Sequence, residues 1–100
     1  MKFRERLALC QERFPTPDAI EPAGLIIMQL RQRWGSMTPS GKLILNRMLI
    51  RASVEAIDYV ITNELCHMRH NHHGPAFFGL LDRVMPDWEK RKNRLEFQLA

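Results

Sequence analysis

The sequence predicts an α+β domain: an antiparallel hairpin or three-stranded sheet packed on one long helix, with further helices after it. Three observations predict it. Two apolar runs, Leu25–Met28 and Leu43–Ile50, flank a turn cluster at Thr38-Pro39-Ser40-Gly41. Val54, Ile57, Ile61, Leu65 and Met68 then recur at helical spacing. Two further apolar-periodic stretches follow, each set off by a proline. A chain of 100 residues is of single-domain size, so residues 1–100 are read as one unit.

Residues 1–14 suit a short helix of mixed charge, ended by Pro15-Thr16-Pro17. Residues 15–24 hold three prolines and Gly24 and read as a connector. Residues 25–34 are assigned to a strand, although Met, Gln, Leu and Arg also favour helix. Trp34-Gly35-Ser36 closes that strand. Residues 43–50 form the second one, and the turn between them makes a hairpin. Ser53 caps the long helix and Glu55 suits its positive end. The helix runs to about His70, where Asn71-His72-His73-Gly74 breaks it. Pro75 opens the next helix, which carries Phe77, Leu80, Leu81 and Val84 on its core side. After Pro86 a last helix spans Asp87 to about Phe97, with Trp88 and Leu95.

Composition excludes several classes. No apolar run approaches the ~18–20 residues of a membrane span, and the stretch within the N-terminal MKFRERLALCQERF is too short for a signal-peptide core. Cys10 and Cys66 do not make a disulfide framework, so a reducing cytoplasm is the expected location. The net charge is +4, and Lys90, Arg91, Lys92 and Arg94 form the densest basic cluster. That makes nucleic acid a candidate partner, while a solvated helix face accounts for the same charge.

The chemistry concentrates between positions 62 and 73. All four histidines, His67, His70, His72 and His73, fall within seven residues. Asn63 and His67 are one helical turn apart, on a face opposite the apolar stripe, and His70 extends that row. Glu64 sits beside position 63. Two histidines at i and i+4, with a glutamate after the first, are the zinc-peptidase pattern. Here asparagine holds the first position, and its amide oxygen is a poor zinc ligand beside imidazole. His73 lies just past the helix break, where a turn could bring it to the same metal. A solvated polar face, or an incidental nickel or copper site, fits the cluster equally well. Cys66 reads as a small apolar filler.

The segment Ile57-Asp58-Tyr59-Val60-Ile61-Thr62-Asn63-Glu64-Leu65-Cys66-His67-Met68-Arg69-His70 resembles the metal-binding helix of the YgjP-type metal-dependent hydrolases, relatives of the SprT-like and WLM zinc peptidases. That family's helix reads His-Glu-Leu-x-His after an apolar lead-in, followed by another histidine and a phenylalanine. His73-Gly74-Pro75-Ala76-Phe77-Phe78 is similar to this continuation. Arg33-Trp34-Gly35-Ser36 resembles the family's Arg-Trp-Gly-Ser-Cys element, with Met37 in the cysteine's place. Leu45-Asn46 with Leu49-Ile50, and Met85-Pro86-Asp87-Trp88, resemble two more of its blocks. The likeness runs from about Leu25 to Leu95 and leaves out the first 24 residues.

The resemblance implies a small zincin-like domain with zinc on His67 and His73 and with Glu64 as general base. Its first ligand position is 63, where Asn63 stands; His70 or His72 could compensate. The implied function is hydrolysis of peptide bonds by a zinc-bound water, on a peptide or protein substrate lying along a sheet edge. Asn63 then implies reduced zinc affinity and weakened or lost activity. The alternative is a catalytically inactive module on the same fold that binds a peptide, or nucleic acid at the basic C-terminal helix.

Overall fold

The computed structural model describes residues 2–99; position 1 of the expected first helix lies outside them. Helix α1 (Lys2–Gln11) is followed by a 3₁₀ turn at Pro17–Ile20, then strands β1 (Gly24–Met28), β2 (Gly35–Met37) and β3 (Lys42–Asn46). A second 3₁₀ turn (Arg47–Arg51) leads into α2 (Val54–His67), α3 (Pro75–Val84) and α4 (Trp88–Leu99). The α+β class and the three-stranded sheet agree with the sequence reading.

The sheet order is β1-β3-β2. Strand β3 pairs antiparallel with β2 and parallel with β1. The turn cluster does join a hairpin. Gly41 N–H donates to Thr38 O at 2.9 Å around Pro39-Ser40, and Gly41 takes the left-handed φ of 86° that such a turn requires. The expected first arm is corrected, however. The strand over 25–34 stops at Met28, and β2 is a separate three-residue strand.

Asn46 supplies the physical reason. It is nearly fully buried at the end of β3, and its Nδ2 donates to Leu30 O and Arg33 O, both at 3.0 Å. Those two carbonyls are held by a side chain, so residues 29–33 leave the ladder and loop over. Its Oδ1 accepts from Met48 N–H at 3.0 Å, which caps the second 3₁₀ turn and ends β3 before the expected Ile50.

Helix α2 begins as expected, with Ser53 Oγ accepting from Ala56 N–H at 3.2 Å. It ends three residues earlier than expected, at His67. The N–H groups of Arg69 and His70 both donate to Cys66 O, at 3.1 and 3.0 Å, closing the last turn. Ile57, Ile61 and Leu65 are buried, but so are Ala56, Asp58, Val60, Thr62 and Cys66. The expectation of one buried and one outer face is therefore corrected. Helices α1, α3 and α4 and strand β2 all pack on α2.

Helix α1 contributes Phe3 and Cys10 to the core, and Phe14 joins them just beyond it. Its Arg6 makes a two-point ion pair with buried Asp58, Nε to Oδ1 at 2.9 Å and Nη2 to Oδ2 at 2.6 Å. Phe77, Leu81 and Val84 of α3 and Leu95 of α4 complete the core. Among the described residues no helix is long and apolar enough to cross a membrane.

Candidate active site

A groove of about 830 Å³ runs between α2, strand β2 with its turn, and the loop after α2. Asn63, Glu64 and His67 line it from the helix, His73 from the loop, and Arg33 from the segment before β2. One glycine sets its width. A Cβ at Gly35 would lie 2.9 Å from Val60 Cγ1, 3.2 Å from Glu64 Cγ and 3.3 Å from Ile44 O. Only hydrogen fits there, so β2 presses directly on α2 beside Glu64.

The register of β2 decides what it offers to the groove. Trp34 O accepts from Asn46 N–H, and Thr38 N–H donates to Lys42 O, both at 2.9 Å. Ser36, two residues from each, therefore turns its main-chain groups toward Ile44 of β3. Those of Gly35 and Met37 point away from β3, along the free edge.

Burial dominates the electrostatics. It pushes the Glu64 carboxyl up to about 7, with the Arg33 guanidinium pulling the other way. The His67 imidazole is held below its ordinary value, first by burial and then by the neighbouring charge of His73. Tyr59, one turn before Asn63, is pushed up to about 12, chiefly by burial.

His67 and His73 meet. Their Nε2 atoms are 2.9 Å apart and the rings contact edge-on at 4.6 Å. Phe77 supports both, with ring centroids 4.6 Å from His67 and 4.7 Å from His73. Sequence puts it there: Gly74 N–H donates to His72 O at 2.8 Å, and Pro75 starts α3 with Phe77 in its first turn. Phe78 and Trp88 extend the aromatic wall, stacked at 5.6 Å.

The other two histidines do not join the pair. His70 lines a separate small pocket with Phe14, Arg69 and Arg83, and His72 is exposed in the loop. The expected row through Asn63, His67 and His70 breaks because the helix ends at His67. Neither His70 nor His72 is among the groove-lining residues. By sequence, Gly35 falls in the triplet that closes the first strand and Arg33 in a family element, with neither assigned to the site; Gly35 instead opens β2. A glycine inside a strand is the available signal for a close backbone approach; for Arg33 no local signal exists.

Two imidazole nitrogens 2.9 Å apart are close to the ~3.3 Å expected of two nitrogens each ~2.0–2.1 Å from one tetrahedral zinc. The pair thus fits one edge of a zinc site. Among the described residues, no group of three His, Cys, Asp or Glu is placed to hold a metal. The donor set is two imidazoles, with the Asn63 amide lining the same groove, short of the three strong protein ligands of a catalytic zinc.

Comparisons with known proteins bear on the family and the fold. A family model described as YgjP-like, metallopeptidase domain, matches residues 1–98. The match includes the first 24 residues, which lie outside the resemblance drawn from the sequence motifs. Two solved structures share the fold. One is the metallopeptidase zymogen abylysin of Pyrococcus abyssi, with a TM-score of 0.79 and 16% identity over 97% of this chain and 94% of that one. The other is the metallopeptidase zymogen jannalysin of Methanocaldococcus jannaschii, with a TM-score of 0.80 and 16% identity over 100% of this chain and 92% of that one. A comparison with curated proteins gives no significant match.

Proposed function

The chain belongs to the YgjP-like metallopeptidase domain family, and from that premise we propose that it is a peptide-binding hydrolase domain whose zinc centre is weakened by Asn63. The observation that carries this reading is the His67–His73 pair, 2.9 Å apart, in the groove that Glu64 and Asn63 also line. His67 and His73 would hold the metal, whose contribution when bound is polarisation of the scissile carbonyl. Asn63 offers only an amide at the third position.

Glu64 is suited to proton transfer. A carboxyl titrating near 7 can take a proton from water and return it to a leaving amine at neutral pH. The free main-chain groups of Gly35 and Met37 support an extended peptide as partner, added as a strand to β2. Nucleic acid at α4 is less favoured. Arg91, in the middle of the basic cluster, is committed to Asp87 at 2.9 Å and to Glu55 O at 3.2 Å.

Zinc stoichiometry and affinity, measured on this chain and on Asn63→His by metal analysis and calorimetry, test the reading. Zinc bound weakly by the parent and tightly, near one per chain, by Asn63→His is the expected result. Tight binding by the parent would mean that the amide suffices or that another group completes the site. No zinc in either form would sink the assignment of His67 and His73 to a common metal.

A further inference from the structure

Arg33 is the one lysine or arginine among the residues lining the groove. Its backbone is anchored although it lies in no helix or strand. Arg33 O accepts from the buried Asn46 side chain at 3.0 Å, and the next carbonyl, Trp34 O, accepts from Asn46 N–H at 2.9 Å. Its guanidinium, by contrast, is barely used. Nη1 reaches Ser36 Oγ at 3.4 Å, a long and neutral contact. Among the described residues it makes no ion pair; those found are Arg6–Asp58 and Arg91–Asp87. Glu64, the one acid lining the groove, feels its charge but makes no ion pair with it.

A fixed backbone carrying an exposed planar donor fork, two residues before the free main-chain groups of Gly35, is an arrangement for reading a carboxylate. We propose that Arg33 anchors a carboxylate of the peptide bound in the groove, so that the domain selects acidic peptides or peptide C-termini. The inference rests on the peptide reading above and adds the substrate class. A strand lying on β2 passes Arg33 at one end, where two parallel N–H···O bonds hold its carboxylate. Both sources, an acidic side chain and a free C-terminus, present the same group.

The test uses the full chain and three short peptides of the same β-forming sequence. One is capped at both ends and neutral, one is capped with a central glutamate, and one has a free C-terminal carboxylate. Each is titrated while the backbone amide resonances are followed. The expected result is groove-localised shifts at Gly35, Ser36 and Met37, with a carboxylate peptide binding on the order of ten-fold more tightly than the neutral one. Preference for the glutamate peptide assigns the side chain as source, and preference for the free acid assigns the C-terminus. Arg33→Gln should erase the preference between the carboxylate and neutral peptides, and Arg33→Lys should retain part of it. Equal affinities for all three peptides, with shifts in the groove, would overturn the anchor and leave the peptide groove standing. No shift along β2 with any peptide would remove the groove reading and the anchor with it.

Discussion

Gly35→Ala is the perturbation that most directly probes how the groove is built. The added methyl would lie 2.9 Å from Val60 Cγ1, 3.2 Å from Glu64 Cγ and 3.3 Å from Ile44 O. Carbon atoms in contact prefer ~3.5–4.0 Å, so the valine must give by more than half an ångström. It cannot do so freely: Val60 is 3% exposed in the middle of α2, and a β-branched side chain on a helix has one favoured rotamer. Ile44 O is backbone in the central strand. Strand β2 must therefore lift off α2 or strain its pairing with β3. Overpacking of this kind costs about 1–3 kcal/mol. For a domain of this size each 1 kcal/mol is worth ~4–8 °C in Tm, so a fall between about 4 and 24 °C is expected. Urea and thermal unfolding of the metal-free protein measure it. Val60→Ala in the same chain should relieve the clash, making the double variant more stable than the sum of the singles by over ~0.5 kcal/mol. A Gly35→Ala protein within ~0.5 kcal/mol of the parent would refute the account of β2 as a strand pressed on the site helix.

Two further outcomes are expected. Arg6→Met leaves the buried Asp58 carboxylate without its partner and should destabilise the domain by about 3 kcal/mol in chemical denaturation. Arg6→Met with Asp58→Asn should recover part of that loss, and an unchanged midpoint for the single variant would show the pair to be idle. In the metal-free protein, Glu64 holds its proton up to about 7, while a carboxyl of ordinary value releases it near 4.5. Between those values the folded state binds more protons than the unfolded one, so stability falls as pH rises through the window. Glu64→Gln should match the parent at pH 4 and exceed it at pH 7.5; parallel pH profiles for the two proteins would contradict a half-buried, protonated Glu64.

What the sequence disclosed follows from the range over which each signal acts. Ser53, Pro75 and Gly41 announce helix starts and a turn through their own backbone chemistry, and each stands where the sequence placed it. The His67–His73 encounter was legible for a similar reason, since a break after a helix leaves few routes for a residue six positions on. Strand pairing was not. It depends on the Asn46 side chain reaching Leu30 and Arg33, 16 and 13 residues away. The polar residues Asp58 and Thr62 are buried, and no local signal in the sequence marks them as core positions. The partner that makes this tolerable for Asp58 is Arg6, 52 residues distant. Arg33 was visible as a letter in a motif, but its place at the groove follows from the same Asn46 bonds.

The mixed sheet also has a bearing on how the chain assembles. Strands β2 and β3 meet across a tight turn, whereas β1 must wait for residues 29–41 to fold back before it can dock parallel to β3. Closing the shorter loop costs less entropy and occurs sooner. The groove wall is therefore expected to form early, with β1 the last strand to join. Pulse-labelled hydrogen exchange should then protect the hairpin amide of Thr38 before those of β1, and the reverse order would contradict this sequence of events. A late strand whose Ile26, Ile27 and Met28 stay exposed even in the folded protein is, during refolding at high concentration, the segment through which chains would first adhere to one another.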